Sequence, residues 1–134
     1  MFQVTRIYSD SNGDSRFEDI EIPLKEAGKV GQLSDVLPAT GIIFREVEPS
    51  YDWNFHVAPQ KQYIVLLDGK IEIETSLGEK RTFKAEDILL VEDTTGKGHK
   101  TRNLQSFAFP ERMRVRCRSH QVDSPQSTGQ RGGR

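Results

Sequence analysis

The chain has 134 residues and a nearly balanced charge, with 19 basic and 20 acidic side chains and a formal net charge of −1. This length suits one domain with its own core, and the balanced charge gives no reason to expect nucleic acid as a partner. Cys117 is the only cysteine, which excludes an internal disulfide. No apolar run approaches the roughly 20 residues of a membrane helix, and no apolar leader follows Met1. We therefore expect a soluble cytoplasmic protein that contacts no membrane.

Short strand-like runs separated by turn residues predict an all-β protein with little helix. In chain order, the predicted strands lie at 2–8, 17–24, 40–48, 63–67, 71–74, 80–84, 88–91 and 112–118. Runs such as Ile88–Val91 are apolar at every position, which is typical of strands covered on both faces. Asp68-Gly69 predicts a tight hairpin turn, and 34–38 could hold one short helical turn. The predicted domain spans 1–118, and the polar segment 119–134 is predicted to be a disordered tail.

Two segments contain the polar residues of greatest interest. The first runs from His56 through Ala58 and Gln62 to Gly69, and the second spans 92–103. His99 lies in the second segment, preceded by the glycine-rich turn 96–98 and followed four positions later by Asn103. These spacings, rather than the composition, are what distinguish the chain.

The two segments resemble the paired motifs of the cupin family. In that family the first motif is His-x-His followed by a Glu and then a Gly, and the second has a His with an Asn four residues later. His56, Gln62 and Gly69 stand at the first His, the Glu and the Gly, while His99 and Asn103 fit the second motif. The resemblance covers about 1–118 and implies a single-domain antiparallel jelly-roll barrel.

The resemblance also implies a metal site, from which this sequence departs at two positions. Ala58 stands where metal-binding cupins have a second histidine, and Gln62 stands where they have an anionic glutamate. An amide oxygen is a weaker ligand than a carboxylate for divalent transition metals. We therefore expect no cofactor. The alternative is an oxygenase or decarboxylase in which one divalent transition metal is held by His56, Gln62 and His99. Glu92 or Asp93 could add a carboxylate ligand, but the motif predicts neither.

Histidines without a metal can act as general acid and base near neutral pH. On this interpretation His56, His99 and Gln62 are the catalytic residues: one histidine removes a proton beside a carbonyl, the other donates one, and Gln62 holds the carbonyl. The sequence thus predicts a small-molecule lyase or isomerase of the dehydratase, double-bond isomerase or cyclase type. A binding module without turnover and a pocket that has become plain core remain open.

Four residues are predicted to contact the substrate. Trp53, Phe44 and Tyr63 supply aromatic surface beside the motif, and Arg102 supplies a cation. Neighbouring strand residues face opposite ways, so Tyr63 should not share a face with Gln62 unless a bulge intervenes. The basic residues that could face an anionic group are Arg45, Lys97 and Arg102.

The segment 112–118 alternates arginine with smaller residues and predicts a final strand with four outward arginines. Such a stripe is usually a solvated face. The alternative is a homodimer, since the resemblance to cupins implies pairing through sheets.

Overall fold

The computed structural model describes residues 2–48, 52–104 and 115–121, the last segment as backbone alone. This described part contains twelve strands and one short 3₁₀ turn at Gly28–Val30. The strands are β1 (Phe2–Ser9), β2 (Ser15–Ile22), β3 (Lys25–Glu26), β4 (Gln32–Leu33), β5 (Gly41–Val47), β6 (Asp52–His56), β7 (Gln62–Leu66), β8 (Lys70–Thr75), β9 (Lys80–Lys84), β10 (Ile88–Val91), β11 (His99–Asn103) and β12 (Val115–Gln121). The all-β prediction is confirmed.

The strands form two large sheets and one small hairpin. The six-stranded sheet has the order β2-β1-β10-β7-β12-β5, the four-stranded sheet has the order β6-β11-β8-β9, and β3 pairs with β4. Every described pair is antiparallel except β1 with β10, which is parallel. A parallel neighbour is possible here because the two strands are far apart in sequence, with several other strands between them.

The core lies between the two large sheets. Alternate residues of β7 and β10 face inward from the six-stranded sheet, including Leu66 and Leu89, and they meet Ile71, Ile73 and Phe83 of the four-stranded sheet. Leu89 is completely buried. The period-two pattern of the sequence therefore buries one face of each sheet against the other.

Two local predictions are wrong. Asp68-Gly69 does not close a hairpin, because β7 belongs to the six-stranded sheet and β8 to the four-stranded one. The glycine, with φ of 75°, instead redirects the chain from one sheet to the other. The helical turn expected at 34–38 is also absent, since 34–40 has no regular structure; the 3₁₀ turn lies earlier, within the β3–β4 hairpin.

The predicted tail begins within the last strand, since β12 continues to Gln121. The remainder of that segment, 122–134, lies outside the described residues, so its disorder stays a prediction. The arginine face of 112–118 and the homodimer inferred from it also stay predictions, because the side chains there are not described. No helix in the described ranges is long and apolar enough to span a membrane.

Candidate functional site

A cavity of about 290 Å³ lies between the two large sheets. His56, Gln62 and His99 all line it, and they come from β6, β7 and β11, so both sheets contribute. Most of the remaining wall is aliphatic, as at Ile64 and Leu66. At roughly 30 Å³ for each water-sized group, the cavity accommodates a ligand of about ten non-hydrogen atoms.

The two histidines are cross-strand neighbours. In the pairing of β6 with β11, His56 lies directly opposite His99, and their ring centroids are 4.7 Å apart. Gly98 makes this approach possible, because its φ is +72° and a Cβ there would overlap the carbonyl group of His56. Gly98 therefore allows the two imidazole rings to lie next to each other.

Buried Asp93 holds His99 in place. The Nδ1–H of His99 donates a hydrogen bond of 2.5 Å to Oδ2 of Asp93, and the carboxylate is fully buried. The backbone N–H of Ala58 donates to the carbonyl oxygen of Asp93 at 3.0 Å, which anchors this loop beside the first motif. With Nδ1 committed to the carboxylate, Nε2 is the ring nitrogen of His99 that remains for a ligand.

The carboxylate of Asp93 is only half satisfied by the described residues. Its Oδ1 atom is buried and has no hydrogen-bond partner among them. A buried carboxylate is costly unless a cation balances it, and His99 is the group bonded to it that can become one. The two residues form an ion pair when His99 is protonated.

His56 has a different environment. Its Nδ1–H donates to the backbone carbonyl of Asn54 at 2.8 Å, and its ring stacks on Trp53 with centroids 3.8 Å apart and an angle of 9° between the planes. Burial is the main cause that lowers the pKa of His56 below the ordinary 6.5, and the nearby charge of Arg45 adds to it. His56 is therefore neutral at pH 7, with its lone pair on Nε2.

A β-bulge explains why both Trp53 and His56 line the cavity although they are three residues apart. His99 pairs with His56, but Thr101 pairs with Trp53, so β6 contains one extra residue over this stretch. A bulge shifts the alternation of side chains by one position. Trp53, His56, His99 and Thr101 consequently reach the same cavity.

Three of the predicted substrate contacts lie elsewhere. Phe44 is 67 % exposed and is not part of the cavity wall, because Ile43 and Arg45 on either side of it face the cavity instead. Tyr63 lines a separate groove on the outer face of the six-stranded sheet, as its alternation with Gln62 predicts. Arg102 pairs with Glu72 at 2.9 Å on the exterior. Thr101, its neighbour, is a cavity residue that the sequence did not single out.

The donor set does not fit the firmly bound metal that metal-binding cupins would imply. The Nδ1 hydrogen bonds leave the Nε2 atoms of both histidines available as ligands, as is usual for metal-binding histidines, but Asp93 contacts His99 at Nδ1 and adds no anionic ligand from the cavity side. Across 2–48 and 52–104, no group of three or more His, Cys, Asp or Glu side chains is placed to hold a metal ion. Two neutral imidazoles and the Gln62 amide would leave a divalent charge unbalanced.

Comparisons with known proteins show a distant likeness to solved structures. The chain is similar to the solved structure of the Cnp3 cupin domain from Schizosaccharomyces pombe, with 17 % sequence identity, coverage of 81 % of this chain and 73 % of that one, and a TM-score of 0.47. No protein-family model matches the chain, and no curated protein matches it. Its function therefore has to be inferred from its own residues.

Proposed function

We propose that this protein is a metal-independent acid–base catalyst, a lyase or isomerase acting on a small carbonyl compound in the cavity. The observation behind the proposal is the pairing of two unlike histidines: His99 is bonded to buried Asp93, whereas His56 is bonded to a neutral backbone carbonyl. Neighbouring titratable groups in environments of different charge are a recurring basis for separate acid and base roles.

His56 is assigned as the general base. The carbonyl of Asn54 can only accept a hydrogen bond, so the proton of the neutral ring resides on Nδ1 and the lone pair on Nε2. Because burial lowers the pKa of His56, this base form is already populated at neutral pH. A base must be unprotonated to act, and His56 meets that condition.

His99 is assigned as the general acid. Its imidazolium form balances the charge of Asp93, and the same contact orients the ring so that Nε2–H is the proton available for transfer. Asp93 is therefore a positioning residue that acts through His99. Simultaneous protonation of His56 and His99 is disfavoured, because the centroids of the two rings are only 4.7 Å apart and two positive charges would repel each other.

The proposed reaction begins when His56 Nε2 takes the proton from a carbon beside the carbonyl. The electron pair of the C–H bond moves to the carbonyl oxygen, to which the Gln62 amide N–H donates. When the electron pair returns from the oxygen, it can expel a β-hydroxyl group, which takes the proton of His99 and leaves as water. In an unsaturated substrate the returning electron pair instead forms a bond at the γ-carbon to the proton that His99 donates. The first outcome is dehydration, and the second is double-bond migration.

The aliphatic walls support this chemistry. Ile64, Leu66 and Leu89 form part of the cavity surface and offer no hydrogen bonds. In such surroundings the interactions of His56, His99 and Gln62 with a developing charge are stronger than in water. General acid–base groups typically contribute about 10²–10⁴-fold each to the rate.

Proton abstraction can be tested before the natural substrate is known. Small ketones and oxo acids are incubated with the full chain in D₂O, and deuterium incorporation beside the carbonyl is followed by NMR. We expect exchange with the wild-type protein that survives a chelator and disappears in His56→Ala. His99→Ala should lower turnover of any compound that goes on to lose water or shift its double bond.

Phe55→Ala provides the matched control for this test. Phe55 precedes His56 on β6, is 47 % exposed and is not part of the cavity wall, so its replacement should leave exchange unchanged. Exchange that persists in both histidine variants, or that requires an added metal, would contradict the proposal. Ligands that bind tightly without any exchange or product would favour a binding module instead.

A further inference from the structure

We propose that Thr101 is a specificity-determining residue that binds a hydroxyl group of the substrate, and that the substrate is a carbonyl compound with a neutral hydroxyl group away from its reacting carbons. This inference rests on the proposed function, because it names the substrate class of the same site. Its basis is the availability of the Thr101 hydroxyl together with the strand register that places it beside His99.

The side chain of Thr101 faces the cavity. Thr101 lies on β11, which has β6 on one side and β8 on the other, so its side chain can point only to the cavity or to the exterior. Thr101 lines the cavity, as do its cross-strand neighbours, Trp53 on β6 and Ile73 on β8. It carries the one hydroxyl group among the described lining residues apart from bound solvent-facing backbone.

The hydroxyl group of Thr101 is available to a ligand. It has no hydrogen-bond partner among the described residues. Oδ1 of Asp93 is the one side-chain atom in the described ranges that is buried without such a partner, so the Thr101 hydroxyl is accessible, and its access is from the cavity. Thr75, opposite His99 on β8, shows the contrast: it is buried, and its Oγ1 accepts the backbone N–H of Glu79 at 3.1 Å.

The register places this hydroxyl beside the reacting groups without making it one of them. His99 and Thr101 are two residues apart on β11, which is about 7 Å along an extended strand, and both line the cavity. His56 lies opposite His99, and Gln62 reaches the cavity from the other sheet. A substrate whose carbonyl lies at His56 and Gln62 therefore reaches Thr101 with a group several bonds from the reacting carbon.

A hydroxyl group of the substrate is the best match for Thr101. The threonine hydroxyl both donates and accepts hydrogen bonds, and a substrate hydroxyl does the same. Ile73, opposite Thr101 on β8, is buried and offers no hydrogen bond, so an ionised group here would exchange its hydration for a single one. A methyl group would leave the Thr101 hydroxyl without a partner. Thr101 thus discriminates between substrates that differ in one oxygen atom.

A pair of probes that differ in one oxygen atom tests this role. 4-(Hydroxymethyl)acetophenone and 4-ethylacetophenone are of equal size, and each has an acetyl carbonyl at the end opposite its hydroxyl or methyl group. Dissociation constants are measured by protein-observed NMR with the full chain and with Thr101→Val, and the ratio of the two affinities is compared. We expect Thr101→Val to shift this ratio about fivefold in favour of 4-ethylacetophenone, in line with the loss of one hydrogen bond.

Two further variants assign the shift to the hydroxyl group. Thr101→Ser keeps a hydroxyl and should retain most of the wild-type ratio. Thr82→Val is the matched control, because Thr82 is exposed on β9 of the same sheet and is not part of the cavity wall, so the ratio should not change. The NMR spectrum of each variant reports whether it is folded, and Thr101→Ala takes the place of Thr101→Val if the valine variant does not fold.

Three results would overturn the inference: the wild-type ratio in Thr101→Val, an equal shift of the ratio in Thr101→Ser, or no binding of either probe at millimolar concentration. Deuterium exchange of the acetyl methyl group is recorded in the same samples. A shifted ratio without exchange of any carbonyl compound would refute the proposed catalysis and leave the role of Thr101 standing. Exchange with an unshifted ratio would do the reverse.

Discussion

Replacing Gly98 with alanine should destabilise the protein strongly, because Gly98 lies directly against the backbone of His56 on the neighbouring strand. A Cβ at this position would overlap the carbonyl group of His56 and lie 2.8 Å from the nitrogen of Val57. These are backbone atoms, so no side-chain rotation can relieve the overlap. The strand β6 would have to move away from β11.

The expected magnitude has two contributions. A non-glycine residue at φ of +72° costs about 1–2 kcal/mol from the left-handed backbone conformation alone. Displacing β6 from β11 adds the loss of about two or three backbone hydrogen bonds at about 1 kcal/mol each, so the sum is about 3–5 kcal/mol. At about 4 °C per kcal/mol for a domain of this size, the thermal midpoint should fall by about 12–20 °C.

Gly78→Ala separates the two contributions. Gly78 has a similar φ of +84°, but a Cβ there meets nothing within 4 Å. This variant should therefore show only the conformational cost, with a midpoint lowered by about 4–8 °C. Both variants are compared with the wild type by thermal unfolding followed by circular dichroism. If Gly98→Ala is no less stable than Gly78→Ala, the close approach of the two strands is not as described.

Three further outcomes are expected. An NMR titration should place the pKa of His56 below 6.5 in the wild-type protein, and Trp53→Ala should raise this pKa by exposing the ring. Because the folded wild-type protein binds fewer protons at His56 than the unfolded chain does near this pH, its free energy of unfolding should decrease as the pH falls below about 6.5. Asp93→Asn should leave the chain folded but lower turnover by about 10²-fold or more, with a changed ¹⁵N signal for His99; unchanged turnover would remove Asp93 from the mechanism. Elemental analysis should find less than one transition metal per chain, and one Fe, Mn, Ni or Zn that is lost only together with activity would establish the metal-dependent alternative.

The strand content and the inward face of most strands were predictable from local pattern. Ile71 and Ile73 alternate with Glu72 and Glu74, and this alternation alone selects which side chains are buried. The resemblance of the two motifs to those of the cupin family also predicted that His56, Gln62 and His99 would share an interior. Periodicity and spacing are properties of the chain itself, so they are readable without knowledge of the neighbouring strands.

Where the local pattern is ambiguous, the sequence does not determine which side chains face the cavity. Ile42, Ile43 and Phe44 are consecutive apolar residues, so β5 has no alternation from which to choose an inward face. Phe44 was predicted to contact the substrate as an aromatic residue, whereas Ile43 and Arg45 on either side of it line the cavity.

The sequence by itself determined an all-β chain, because that depends on intervals between residues along one strand or loop, and the resemblance of its two motifs to those of cupins indicated which polar residues face the interior. Only the tertiary structure decided the partnership of Asp93 with His99, the stacking of Trp53 on His56 and the position of Thr101 in the cavity wall. Each of these depends on the register between strands or on a bulge within one. A one-residue change in register or a single extra residue reverses the face that a side chain occupies, and that choice is made by packing across the whole molecule.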